Sequence, residues 1–299
     1  MSKRLIYLFA LAGVAIAPQT AKAGKYDIDL APLATVDSNG AVTDQDNQAF
    51  RSLSSELGVL TALKPVDPGD SLGLSGFALS ADVSINTISG DEAYWSNTTD
   101  GADNVVPTIQ IMGRKGLWPG LEVGGGATHV FDSKLWTLGG YAKVALHEGF
   151  HHLPIPTIAL RGHFGQLLGS RDVRMSTVGA DIVISHVFGV GNTLSLTPYG
   201  GYQALMVFAR SGVVDGTPNT DELIMPSPGA TNEFVFERQD LILRHRPFVG
   251  MRMIFSVIRV GFDAMFVPGG GTEATVDGET VQDESGFQQQ YTLTVGLDF

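Results

Sequence analysis

Residues 287–299 read FQQQYTLTVGLDF. Phe287, Tyr291, Leu293, Val295, Leu297 and Phe299 recur at every second position, with Gln289 the one polar member of that face. Gln288, Gln290, Thr292, Thr294, Gly296 and Asp298 fill the other. Strict alternation is the mark of a strand with one apolar and one polar face. The stretch outruns the roughly five or six residues of an ordinary globular strand. It has the length that a tilted strand needs to cross a bilayer, about nine to eleven residues.

Working outward from it, the same period recurs. Phe77, Leu79, Ala81, Val83 and Ile85 alternate with small or polar residues, as do Val178, Ala180, Ile182 and Ile184. Ten such segments lie at about 73–88, 104–115, 120–131, 134–147, 155–168, 171–188, 192–210, 236–256, 257–267 and 285–299. The three long connections, 89–103, 211–235 and 268–284, all fall at odd-numbered places in the order. In an up-and-down meander they emerge at one end, the asymmetry of a transmembrane β-barrel with long outer loops and short periplasmic turns. A soluble β-sandwich would also alternate. Against it stand the strand lengths, charges in mid-strand (Asp82, Lys143, Arg161, Asp181, Arg252, Asp263), and aromatics at strand ends such as Trp118, Phe131, Trp136, Phe208, Phe266, Tyr94 and Trp95. The expectation is an all-β fold: a single antiparallel barrel of about ten strands over 73–299, preceded by a short amphipathic helix.

The ending Tyr291-x-Leu293-x-Val295-x-Leu297-x-Phe299 resembles the C-terminal strand signal of Gram-negative outer-membrane β-barrel proteins. The resemblance implies an outer-membrane location and recognition of the Phe299 strand by the barrel-assembly machinery. It implies contact with outer-membrane lipid and lipopolysaccharide, and it names no solute. The start of the chain agrees. Lys3 and Arg4 precede an apolar run from Leu5 to Ala17, and Ala21-Lys22-Ala23 is a cleavage site, so 1–23 reads as a signal peptide.

Composition narrows the functions. The 299 residues carry 19 Lys and Arg against 31 Asp and Glu, a net charge of −12, which argues against nucleic-acid binding. There is no Cys, hence no disulfide and no thiolate metal site. Glycine is abundant, at 37 residues, and alternation points ten of them inward, among them Gly124, Gly179, Gly201 and Gly250. Inward glycine suggests that something fills the space left free, either water and solute or a helix.

That helix is read in the segment 24–72. After the cap at Thr43-Asp44-Gln45-Asp46, Phe50, Leu53, Leu57 and Leu60 form an apolar stripe, with Arg51, Ser54, Ser55 and Glu56 opposite, over some 18 residues. Either it is a plug in the lumen or across its periplasmic mouth, similar to the N-terminal hatch of outer-membrane long-chain fatty acid transporters, or it is a periplasmic helix packed elsewhere. The lumen candidates Asp82, Lys143, Arg161, Asp181, Arg252 and Asp263 read either as a salt-bridge network filling a narrow bore or as a selectivity lining that attracts an anion. The first reading is favoured.

His147-Glu148-Gly149-Phe150-His151 matches the zinc-protease pattern H-E-x-x-H. An internal Gly, the following Pro154 and Pro156, and the strand alternation upstream make it a chance match in a turn. No metal, cofactor or catalytic residue is therefore assigned. The acidic outer loops, with Asp91, Glu92, Asp100, Asp103, Glu273, Asp277, Glu279, Asp283 and Glu284 and no cation, could hold divalent cations. The leading functional expectation is a narrow, plug-gated channel or transporter for a small solute. The alternatives are a non-transporting structural or surface-interaction barrel and an outer-membrane enzyme.

Overall fold

The computed structural model describes residues 24–148, 155–190, 194–218, 232–276 and 278–299. The leader at 1–23, the end of the H-E-x-x-H stretch at 149–151 and Asp277 lie outside them. The barrel strands are β1 (Phe77–Thr87), β2 (Val105–Trp118), β3 (Leu121–Val130), β4 (Trp136–His147), β5 (Thr157–Leu168), β6 (Val173–Ser185), β7 (Leu194–Ser211), β8 (Gln239–Phe255), β9 (Ile258–Val267) and β10 (Gln288–Asp298). Each pairs antiparallel with the next, and β10 pairs with β1 to close the ring. At the seam Phe77 and Phe299 exchange backbone hydrogen bonds of 2.9 and 2.8 Å. Closure leaves no unpaired edge, the condition for burying strands in hydrocarbon. A short strand, Phe188–Val190, extends the sheet beside Leu194–Leu196.

The alternation read from the sequence sorts the two surfaces. Leu79, Val83, Ile85, Leu138, Phe164, Ile182, Phe262, Leu293 and Val295 are exposed on the outside, while Asp82, Lys143, Arg161, Gln203, Gln290 and Thr292 are buried inside. A wet lumen and an apolar belt need this inversion of the globular pattern. The long connections 88–104 and 268–287 and the described ends of 212–238 share one end of the barrel, and the turns at 119–120 and 256–257 lie at the other. Trp118, Phe131, Trp136, Phe287 and Phe299 stay exposed near strand ends. Tyr94 and Trp95 do not join them. They sit on the one-turn helix α2 (Ala93–Ser96) and are buried.

The segment before β1 threads the whole bore. At the long-loop end, the backbone amides of Tyr26, Asp29 and Leu30 donate to Asp132 O, Thr98 O and the Asp172 carboxylate (3.1, 2.9 and 3.1 Å). A hairpin of Ala34–Val36 with Val42–Gln45 follows. The helix α1 (Asn47–Thr61) then enters the barrel, with the Asp46 carboxylate capping the Ala49 amide at 2.8 Å. Beyond it, 62–72 runs on to the short-turn end, where the Ser71 amide donates to Glu148 at 2.8 Å. The helix has 15 residues, shorter than the 18 or so expected, because Ala62 leaves helical geometry.

Four of the inward glycines meet neighbouring-strand rings rather than solute or the helix, whereas a Cβ at Gly76 would meet Leu72 of the plug segment. Gly124, Gly179, Gly201 and Gly250 stand directly opposite Tyr141, His163, Phe248 and Tyr199 on the neighbouring strand. A Cβ at these glycines would meet those rings at 2.3, 2.1, 2.5 and 2.4 Å. Each ring lies flat over the bare backbone opposite it, a packing known from aromatic cover of strand glycines. The bore stays clear for the plug because these large side chains lie along the wall.

Candidate functional site

The lumen divides into two halves of different chemistry. Near the long loops much of its wall is apolar: Val106, Val130, Leu167, Met175, Leu205, Val207 and Ile242 face inward and are buried, with Gln239, Arg244 and Gln288 buried among them. The stripe Phe50, Leu53, Leu57 and Leu60 packs here at 0% exposure. Phe50 stacks on Phe236 with centroids 4.7 Å apart. Gly58 abuts Val207 so closely that an added Cβ would stand 2.5 Å from a Val207 methyl.

The polar face of α1 is buried as well. Glu56, at 0% exposure, accepts five hydrogen bonds. They come from the Ser89 amide (2.9 Å), the Ser89 hydroxyl (2.6 Å), the Tyr94 hydroxyl (3.0 Å), Trp95 Nε1 (2.7 Å) and the Gly286 amide (2.8 Å). Burial and the facing carboxylate push the Tyr94 phenol well above its ordinary range. Arg51 donates to Thr272 O and Thr272 Oγ1 (3.1 and 3.0 Å), and Ser55 donates to Asp283 at 2.6 Å. Two of the long loops are thus tied to one helix. Sequence reasoning placed Glu56 on the polar face of the helix and gave that face no partner. Its signal was the pair of indole and phenol donors at 94 and 95, taken there for membrane anchors.

Near the short turns the wall is charged, and the extended stretch of the plug lies among the charges. Asp67 is within 3.3 Å of Arg114, 3.4 Å of Arg252 and 3.0 Å of Arg259. Arg252 also pairs with Asp70, and Arg259 with Asp298. Lys143 holds Glu122 at 3.1 Å and the carbonyls of Pro68 and Asp70 at 3.2 and 2.8 Å. Arg161 pairs with Asp181 at 3.0 Å and donates to Pro65 O. Of the lumen candidates, Lys143, Arg161, Asp181 and Arg252 therefore meet around residues 65–70. Asp82 and Asp263 lie higher, lining with Lys64 a small polar cavity that has room for about one water. Gln110 joins Asp82 (3.1 Å) to the Lys64 backbone carbonyl (2.9 Å), and the Lys64 ammonium donates to Asn86 at 2.6 Å. The anion-attracting candidates Arg161 and Arg252 are occupied by this chain's own oxygens.

His147 ends β4 opposite Ile158, in extended rather than helical backbone. His129 stacks on Trp136 at 4.3 Å and reaches Leu135 O. Among the described residues no three His, Asp or Glu side chains are grouped to hold a metal ion. The acidic loops also have a cation that the loop sequences lack: Lys25 pairs with Asp103 at 2.7 Å.

No family model matches the sequence, and no curated protein does. Among solved structures, the attachment invasion locus protein of Yersinia pestis is 11% identical, with 75% of this chain and 99% of that chain covered, at a TM-score of 0.27. The outer membrane protease OmpT from Escherichia coli is 8% identical over 75% and 96%, at 0.35. The translocator domain of the autotransporter NalP from Neisseria meningitidis is 11% identical over 85% and 95%, at 0.29. The geometry itself places the chain: it is a closed, ten-stranded antiparallel β-barrel, apolar outside and polar within, the architecture of proteins that span the bacterial outer membrane.

Proposed function

We propose that the protein is a closed, self-plugged platform whose long-loop end is an interaction surface at the cell exterior. The observation that carries this reading is the Glu56 carboxylate, which binds the plug helix to two long loops at once. The plug serves as the internal support of the outer surface, and leaving the bore would dismantle that surface. Export by a signal peptide at 1–23 and insertion through the Phe299 strand by the barrel-assembly machinery belong to the same proposal. A second reading, plug-gated passage of a small solute, is favoured by the charge of the wall. Without the plug, Arg114, Lys143, Arg161, Arg244, Arg246, Arg252 and Arg259 of the described strands would face the bore against Asp82, Glu122, Asp181, Asp263 and Asp298. Such a bore would select anions.

Planar-bilayer conductance decides between the two. The chain has no Cys, so a Gly58→Cys, Val207→Cys pair, whose Cβ atoms lie about 3 Å apart, can lock the helix to the wall without interference. The platform reading expects no conductance in the oxidised or the reduced form. Conductance that appears only on reduction overturns it in favour of gated passage.

A further inference from the structure

Of the ten Lys and Arg in the barrel strands, seven point inward. Three point outward: Lys115 at the short-turn end, and Arg174 and Arg210 at the long-loop end. Arg174 and Arg210 are direct partners in the β6–β7 ladder, so two like charges lie on one face at the closest cross-strand spacing. Like charges so placed destabilise a sheet unless an anion lies between them. Neither guanidinium has an ion-pair partner among the described residues, in a chain with a net charge of −12.

Their depth is equally specific. Two residues further into the barrel, Phe208 faces Ser176, and beyond them Met206 faces Val178 at the start of the apolar belt. The arginines thus stand where hydrocarbon gives way to headgroups on the long-loop side. Between them runs a groove of about 190 Å³ lined by Gln166, Arg174, Ser176, Phe208, Arg210 and Arg238. Ser176 and Gln166 are satisfied by each other at 2.6 Å, and Gln166 also donates to Met175 O at 2.8 Å. Arg174 and Arg210 are the groove's outward-facing charged donors on the strands.

We propose that Arg174 and Arg210 bind the phosphate of a phosphorylated glycolipid in the outer leaflet, whose acyl chains lie against Phe208, Met206 and Val178. Paired guanidinium forks match phosphate oxygens, and the apolar face below continues into the membrane. The inference rests on the long-loop end facing outward and does not depend on whether the barrel conducts.

The test uses the full-length barrel purified in detergent and native mass spectrometry. The probes are a diphosphorylated glycolipid, the same lipid enzymatically dephosphorylated, and inorganic phosphate alone. The variants are Arg174→Gln, Arg210→Gln, the double variant, and Lys115→Gln as the outward-cation control. The expected result is retention of the phosphorylated lipid by the unmodified and Lys115→Gln proteins, and about tenfold weaker binding in each single arginine variant. Without lipid, the double variant should melt no lower than the unmodified barrel, since a repulsive pair is gone. Equal retention of phosphorylated and dephosphorylated lipid, or unchanged retention in either folded single variant, overturns the proposal. Inorganic phosphate bound as tightly as the lipid would make this an ion site and overturn it too. None of these variants touches the plug, so bilayer conductance remains an independent check on the platform reading.

Discussion

Replacing Glu56 separates two ways of losing the same anchor. Its Oε2 accepts from two N–H groups, the Ser89 amide and Trp95 Nε1, which cannot reverse direction. Its Oε1 accepts from two hydroxyls, Ser89 and Tyr94, which can, and from the Gly286 amide, which cannot. In Glu56→Gln the amide nitrogen therefore takes the Oε1 side, where both hydroxyls turn to accept. Only the Gly286 N–H is then left facing a donor, a cost of about 1–3 kcal/mol. Glu56→Ala strands all three N–H donors, which at that rate costs about 3–6 kcal/mol after partial rehydration at the mouth. The assay is native-state proteolysis in detergent, with cleavage within 88–104 and 268–287 followed by mass spectrometry. The alanine variant should be cut at least about a hundredfold faster than the unmodified protein, with glutamine between the two. Equal rates for the alanine variant and the unmodified protein, or a glutamine variant cut as fast as alanine, would refute the argument that five bonds to one carboxylate hold the loops.

Gly58→Ala should push the helix off β7 by overpacking at Val207, lowering stability by about 1–3 kcal/mol in denaturant titrations, and Val207→Ala should restore most of that loss. Asp67→Asn should cost about 3–5 kcal/mol, because Arg252 and Arg259 keep other carboxylates while Arg114 loses the one ion pair described for it. Adding Arg114→Gln should recover part of that loss, and a double-mutant cycle with no coupling would count against the assignment. Phe299→Ala should leave the folded barrel's melting nearly unchanged, as the ring is 66% exposed, yet lower the amount assembled in cells if the strand signal works as the resemblance implies. A large loss of in vitro stability would place its role in the seam instead.

The barrel was legible because alternation is a local property. A residue and its neighbour two positions on must face the same medium, so residues such as Leu293, Val295 and Asp82 declared their sides without any knowledge of the fold. The interior was harder to read. Alternation labels a face as inward and does not say what it meets there. Val207 and Leu205 are inward and apolar because a helix covers them, which turns one half of the lumen into a core of the globular kind. Tyr94 and Trp95 misled for the same reason: an aromatic beside a strand end is an interfacial anchor or a donor to a buried carboxylate, and only the position of Glu56 distinguishes these. The glycine excess pointed to a bore with room to spare. The rings opposite Gly124 and Gly179 were in plain view in the sequence, but the register that pairs them was not.

The path of residues 24–72 has a consequence for how the molecule is made. The hairpin at 34–45 lies beyond one mouth of the ring and β1 begins at the other, so the chain passes through a closed hoop of ten strands. On the platform reading the ring closes around a stretch of chain already in place, and Asp67 in that stretch ends up paired with Arg114, Arg252 and Arg259 of the wall. On that reading the plug is a mandrel on which the sheet is wound.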